Sequence, residues 1–285
     1  MLFVLLSAVC SVLVSVFLKI ARRLAVDVPQ AVTWNYLAAS ALCALTLRPP
    51  LASLAQPGAP WPALLGLAVA LPSLFLVLAA SVRRAGIVRT DMAQRLSLLL
   101  SLLAAFLLFG EQAGAVKLAG LALGLLAVLG ILARPGGAPA GGALPALLTV
   151  WAGFAAVDVM LKQIAAAGTP FAASLQVSFV LAFLGMAAWQ VARAWRGTAP
   201  WTWRSLAAGL LLGALNFGNI VFYVSAHRAL PSQPAVVFAS MNIGVVVLAA
   251  LTGAIGFGER LSWINRGAIV LAIGAIVLIA FPNLA

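Results

Sequence analysis

LLFGEQAGAVKLAG, residues 107–120, interrupts two long apolar runs with a glutamate, and IGFGERLSWINRGA, residues 255–268, does the same again. The shared Phe-Gly-Glu stands at 109–111 and at 257–259, an offset of 148 residues. Two further pairs repeat in the same order: SVFLK at 15–19 with DVMLK at 158–162, offset 143, and SVRRA at 81–85 with SAHRA at 225–229, offset 144. Three ordered matches at nearly constant offset point to an internal duplication, where any one of them would be weak. The expected organisation is a first unit over 1–133, a Gly/Pro/Ala linker over 134–142 (PGGAPAGGA lies at 135–143) and a second unit over 143–285.

Each unit has to be read in a membrane. Of the 285 residues 65% are hydrophobic and 8% charged, and the mean hydropathy is +1.16. Many windows therefore reach the roughly 20 apolar residues that cross about 30 Å of hydrocarbon. Ten helices are expected, near 2–20, 31–48, 61–82, 88–108, 114–133, 143–165, 170–192, 205–226, 233–256 and 264–282. Proline and glycine clusters such as RPPLASLAQPGAP at 48–60 punctuate them. The first run carries Arg22 and Arg23 after its apolar stretch, where a secretory signal carries its charge before it, so it reads as a retained helix. The fold class is thus all-α integral membrane, ten transmembrane helices in two five-helix units. Five is odd, so the second unit crosses in the opposite sense, and such inverted repeats around a central cavity supply alternating access.

The formal charge of +12 would suggest nucleic acid in a soluble chain. Here the cations sit between spans and read as topology signals, with no nucleic-acid partner expected. Loops after the odd spans hold Arg22, Arg23, Arg83, Arg84, Arg89, Arg134, Arg193, Arg196, Arg204, Arg260 and Arg266; the other side holds Arg48, Lys117 and Arg228. That bias puts both termini outside the cytoplasm.

The lysine of VFLKIA, the fourth span running into FGE and the following GLALGLLAVLGILA resemble the EamA-type branch of the drug/metabolite transporter superfamily, with VMLKQIA, FGERLS and GAIVLAIGAIVLIA repeating the pattern. The resemblance implies a basket of ten helices, a cavity lined by spans one to four and six to nine, and peripheral spans five and ten. It also implies a multi-pass carrier of the cell (inner) membrane with both termini cytoplasmic, opposite to the charge bias. Its members carry amino acids, sugars, nucleotide sugars, phosphorylated metabolites or drugs. Where many members have an arginine in span two this chain has Trp34 and Asn35, with Gln176 in the matching span seven, so contacts of that arginine do not carry over.

Polar groups facing lipid cost several kcal/mol, so those inside spans are expected to face a cavity or one another. Asn216, Asn219, Tyr223 and His227 fall at i, i+3, i+7 and i+11 on one face of span eight; Trp151, Asp158 and Lys162 do likewise on span six. Asp158–Lys162 and Asp91–Arg95 have the acid-before-base spacing of intrahelical pairs. Gln94 and Asn242 are related by the 148-residue offset and offer donors and acceptors from both units. The candidate substrate-binding set is Trp34, Asn35, Gln94, Trp151, Asp158, Gln176, Asn216, Asn219, Tyr223 and Asn242. Lys19 and Lys162, near helix ends, are expected to snorkel. Glu111 and Glu259 are expected to sit at the N-termini of spans five and ten. Gly120-x-x-x-Gly124 permits close packing inside a monomer or between monomers, leaving a monomer or weak homodimer.

One histidine, five scattered acids and cysteines (Cys10, Cys43) within apolar runs form no metal-ligand cluster or nucleophile motif, so neither metal nor cofactor is expected and an intramembrane enzyme is disfavoured. Span one has no acid, which weighs against a cationic-drug exchanger. The expected partners are the lipid bilayer and a small-molecule substrate: a polar metabolite, with amino-acid export leading, and cationic or phosphorylated compounds as alternatives.

Overall fold

A computed structural model describes residues 1–56, 58–109, 114–132, 143–259 and 261–281. Among these residues the chain forms ten α-helices and no strand: α1 Leu2–Ile20, α2 Val28–Leu47, α3 Trp61–Ala85, α4 Ile87–Phe109, α5 Ala115–Leu132, α6 Ala143–Ala166, α7 Phe171–Trp195, α8 Trp203–Ala229, α9 Pro234–Leu251 and α10 Trp263–Ala280. A 3₁₀ turn covers Leu51–Ala55, and a π-helical turn over Thr252–Gly256 continues α9. The expected linker, 134–142, lies outside the described residues.

Local chemistry sets the helix ends. Asp27 caps α2 by accepting from the Gln30 amide, Thr202 caps α8 through the Ser205 amide, and Ser262 caps α10 through the Asn265 amide. Arg48, at φ +45°, ends α2 before a Pro-Pro pair, and Gly86, at φ +92°, separates α3 from α4.

Among the described residues seven helices are long and apolar enough to cross a bilayer, and α5 adds the shorter apolar stretch Leu118–Gly130. Helices α2 and α4 carry several polar residues in their first halves, and they bury them. Gln30, Thr33 and Asn35 of α2 and Thr90 and Asp91 of α4 are all at most 1% exposed. Large side chains such as Val69, Leu129 and Val270 meanwhile face outward, the reverse of a soluble protein and the pattern lipid requires.

Most of the helix packing, though not all of it, maps onto itself when α1–α5 exchange with α6–α10. Helix α1 packs on α8 and α9, while α6 packs on α3 and α4; α2 pairs with α7, α4 with α9, and α5 with α10. Small residues set the closest approaches: a Cβ on Gly209 or Gly213 of α8 would come within 2.5 Å of the Ala31 or Asn35 carbonyl of α2. The Gly120-x-x-x-Gly124 pair is used inside the chain, Gly120 against Leu278 and Ile279 of α10 and Gly124 against Leu99 of α4.

A polar latch holds one end of the bundle. Arg193, in the last turn of α7, donates to both carboxylate oxygens of Asp27 at 2.9 Å and to Gln190 Oε1 at 2.8 Å. Gln30 donates to the Pro200 carbonyl at 2.6 Å and accepts from the Thr202 amide at 3.1 Å, so the latch also fixes the α7–α8 connection. Partial burial pushes the Asp27 carboxyl up, but hydrogen bonds from Arg193 and the Gln30 amide, with the Arg193 charge, hold it below the usual carboxylate range. A carboxyl lowered by folding stabilises above its unfolded pKa of about 4, and that stability is lost as pH falls through the lower folded value. Asp27→Asn is therefore expected to lower apparent stability by about 1 kcal/mol at pH 7, the deficit shrinking towards pH 3. Melting curves of both proteins in detergent at the two pH values check this.

Candidate functional site

Helices α4, α6, α8 and α9 enclose a cavity of about 480 Å³. It is narrower in origin than expected, since α1, α2, α3 and α7 contribute none of its lining among the described residues. Helix α4 supplies Gln94, Arg95, Ser97 and Ser101; α6 supplies Phe154, Asp158 and Lys162. Asn219 and Tyr223 come from α8, Phe238 and Asn242 from α9.

Arg95 and Asp91 do more than neutralise each other along one helix. Both turn to α1, where Ser11 and Ser15 repeat their four-residue spacing: Arg95 Nη2 donates to Ser11 Oγ at 2.6 Å, and Ser15 donates to Asp91 Oδ1 at 2.9 Å. Arg95, anchored on α1, also lines the cavity, and its buried Nε has no hydrogen-bond partner among the described residues. Asp158 lies on the facing helix, within hydrogen-bonding reach of Ser101 and electrostatic range of Arg95. Asn242, which lines the cavity, donates its amide to its own helix at Phe238 O, 2.9 Å away.

Five of the ten sequence candidates thus share one cavity: Gln94, Asp158, Asn219, Tyr223 and Asn242. The other five lie elsewhere, chiefly between helices. Asn216 donates to Asn35 Oδ1 at 3.3 Å, tying α8 to α2; Gln176 donates to Ser40 at 2.8 Å, tying α7 to α2; Trp151 donates to the Leu96 carbonyl at 2.9 Å, tying α6 to α4. Trp34 packs on Trp201 with ring centroids 5.5 Å apart. The α8 stripe is divided because it climbs roughly 16 Å over eleven residues and passes different neighbours: Asn216 meets α2, Asn219 donates to the Ser7 carbonyl of α1 at 3.1 Å, and Tyr223 reaches the cavity, its ring edge-on to His227. Arg95, Ser97, Ser101 and Lys162 join the site without having been among its candidates; a cation nine residues into a 23-residue helix was the available signal for Arg95.

The repeated glutamates also read differently in space. Glu111 lies outside the described residues. Glu259 does meet a helix N-terminus, but that of α4 and not of α10, which is the correction to the sequence expectation. Its oxygens accept from the Ile87 amide at 2.8 Å and the Val88 amide at 3.3 Å. Ser262 already caps α10, whereas Gly86, ahead of α4, has no side chain with which to cap. Lys19 does not snorkel: its ammonium pairs with Glu259 and stands 4.9 Å from the Phe257 ring centre. One carboxylate therefore joins the ends of α1 and α9 to the start of α4.

The bundle and its polar cavity define a multi-pass integral membrane protein. The sequence profile of the EamA-like transporter family matches residues 1–133. The chain is also similar to an uncharacterized protein of Haemophilus influenzae, 39% identical over 277 residues covering 94% of this chain and 93% of that one. It is similar over less of its length to an uncharacterized protein of Pseudomonas aeruginosa, 35% identical over 189 residues, 65% of this chain and 61% of that one. The chain belongs to the EamA-like transporter family.

A Cβ on Gly86 would stand 2.6 Å from Glu259 Oε2, at a φ that side chains rarely adopt. Gly86→Ala is expected to cost roughly 1–3 kcal/mol. The cost should shrink in a Glu259→Ala background, because the clash then disappears and only the backbone strain remains. Melting temperatures of the four proteins of this cycle check it.

Proposed function

We propose that the chain is a carrier for small polar metabolites, with zwitterionic amino acids the leading substrate class. The observation that supports this is the cavity's pairing of opposite charges: Arg95, with a buried N–H lacking a partner among the described residues, on one wall and Asp158 on another. A substrate carboxylate would take the guanidinium and a substrate ammonium the carboxylate, both as charge-assisted hydrogen bonds. Gln94, Asn219 and Asn242 add donors and acceptors around a volume suited to a molecule of amino-acid size. A permanent cation would meet both Arg95 and Lys162 unfavourably, and an anionic substrate, which those two cations would favour, would still meet Asp158.

The same reading makes 1–133 and 143–285 two related, oppositely oriented units that rock about this cavity, with 134–142 joining them. The exchange symmetry of the helix packing supports it. Helices α5 and α10 pair with each other away from the cavity, as a peripheral prop. The carrier would reside in the inner membrane, in the export direction, as a monomer, since the small-residue motif of α5 is used within the chain. No step of this cycle calls for bond-making chemistry, a metal or a cofactor.

Uptake of labelled amino acids into proteoliposomes tests the reading. Arg95→Gln and Asp158→Asn are each expected to lower flux of a zwitterionic substrate tenfold or more, the scale of one charge-assisted hydrogen bond. Competition should separate their roles. The decarboxylated amine should gain relative to the amino acid in Arg95→Gln, and the deaminated acid in Asp158→Asn. Unchanged flux and selectivity in both variants would refute the assignment.

A further inference from the structure

At the end of the bundle that bears Asp27, the last turn of α1 and the first turns of α8 leave a second opening, of about 680 Å³. Its walls are apolar: Phe17, Ile20 and Leu24 on one side, Ala207 and Leu211 on the other. Its polar lining is a pair of arginines, Arg23 after α1 and Arg204 at the start of α8. Both are exposed, and neither has an anionic partner among the described residues. Two guanidiniums over a greasy cleft match no small polar solute, but they match a molecule with an anionic head and a hydrocarbon tail.

The depth of the opening agrees. Trp201 and Trp203, beside Arg204, are 45% and 77% exposed, and exposed tryptophans at a helix end lie at headgroup level. The groove runs from that level along α8 to Leu211, into the zone of the hydrocarbon. Arg22, Arg83 and Arg84 stand near one another at the same end, adding a positive field.

We infer that this groove is a binding site for one anionic phospholipid, its phosphate held between Arg23 and Arg204 and an acyl chain lying between α1 and α8. Guanidinium forks suit the non-bridging oxygens of a phosphodiester, and basic pockets between helices favour such headgroups. Because Lys19 lies within two turns of this groove on α1, an occupied site would brace the helix that pairs with Glu259. The site is independent of what the central cavity carries.

Thermal unfolding and native mass spectrometry of the purified chain in detergent, with phosphatidylglycerol or phosphatidylcholine added, test this. Phosphatidylglycerol should raise the melting temperature of the wild type above the value with phosphatidylcholine and remain bound in the gas phase. The Arg23→Gln/Arg204→Gln variant should lose that preference, with lipid affinity falling roughly tenfold or more. Arg83→Gln/Arg84→Gln, which removes the same charge from the same end, should keep it. Ala207→Phe, which fills the groove and leaves the arginines, should lose it too. Equal shifts with both lipids, equal loss in both arginine pairs, or a full shift with soluble glycerol phosphate would each overturn the site, the second assigning the effect to the general field and the third to a simple anion.

Discussion

The Glu259 carboxylate is the contact on which the arrangement of helices around the cavity depends. It accepts from two amides at the head of α4, where the helix dipole favours negative charge, and it takes the Lys19 ammonium from α1. Hydrogen bonds to charged groups are worth about 1.5–3 kcal/mol each, and a buried charge deprived of partners costs more than any one of them returns. The chain reaches this point through a π-helical turn and Gly258 at φ +62°, and the Glu259 amide closes the turn on the Gly253 carbonyl at 2.8 Å. Irregular backbone is tolerated at such depth only where its polar groups are satisfied. The carboxylate thereby fixes the helix that carries Gln94, Arg95, Ser97 and Ser101 to the cavity.

The polar content of α2 and α4 has a common logic and two outcomes. In α2 Gln30 is spent on the α7–α8 connection, Asn35 Oδ1 on Asn216 and Ser40 on Gln176, while Trp34 Nε1, Asn35 Nδ2 and Tyr36 Oη are buried without a hydrogen-bond partner among the described residues. In α4 one side is spent on the α1 serines, while Arg95 retains an N–H without a partner among the described residues. Both helices turn these polar groups towards neighbouring helices and not towards lipid. The difference is one of place: α4 lines the cavity with Arg95, and α2 does not reach it among the described residues.

Much of the fold was legible because it is local. Caps, prolines and apolar run lengths put α1 at residues 2–20 as expected and most other helix ends within a few residues. Part of the cavity was legible too, since Gln94 and Asn242 announce themselves as amides in symmetric places and Asp158 as an acid within a span. What periodicity cannot tell is which neighbour a face meets. Asn216, Gln176 and Trp151 are polar or amphipathic inside spans, just like the cavity residues, and they serve helix contacts. Lys19 and Glu259 are 240 residues apart, so neither the ion pair nor the choice of α4 over α10 is visible along the chain. Arg95 was misjudged for a related reason: its four-residue spacing from Asp91 suggested a closed pair, when both side chains were reaching across to serines.

Those serines belong to a longer series, since Ser7, Ser11 and Ser15 stand four apart along α1. Asp91 and Arg95 occupy the upper two rungs, and Ser7 hydrogen-bonds to the Asn219 carbonyl. Moved by one helical turn, about 5.4 Å, the acid would meet Ser11 and the base Ser7, with the same number of hydroxyl contacts. The ladder thus grips α4 firmly without choosing its register, as a rack holds a pinion at any tooth. Selection of the tooth falls to the carboxylate of Glu259 at the end of the track.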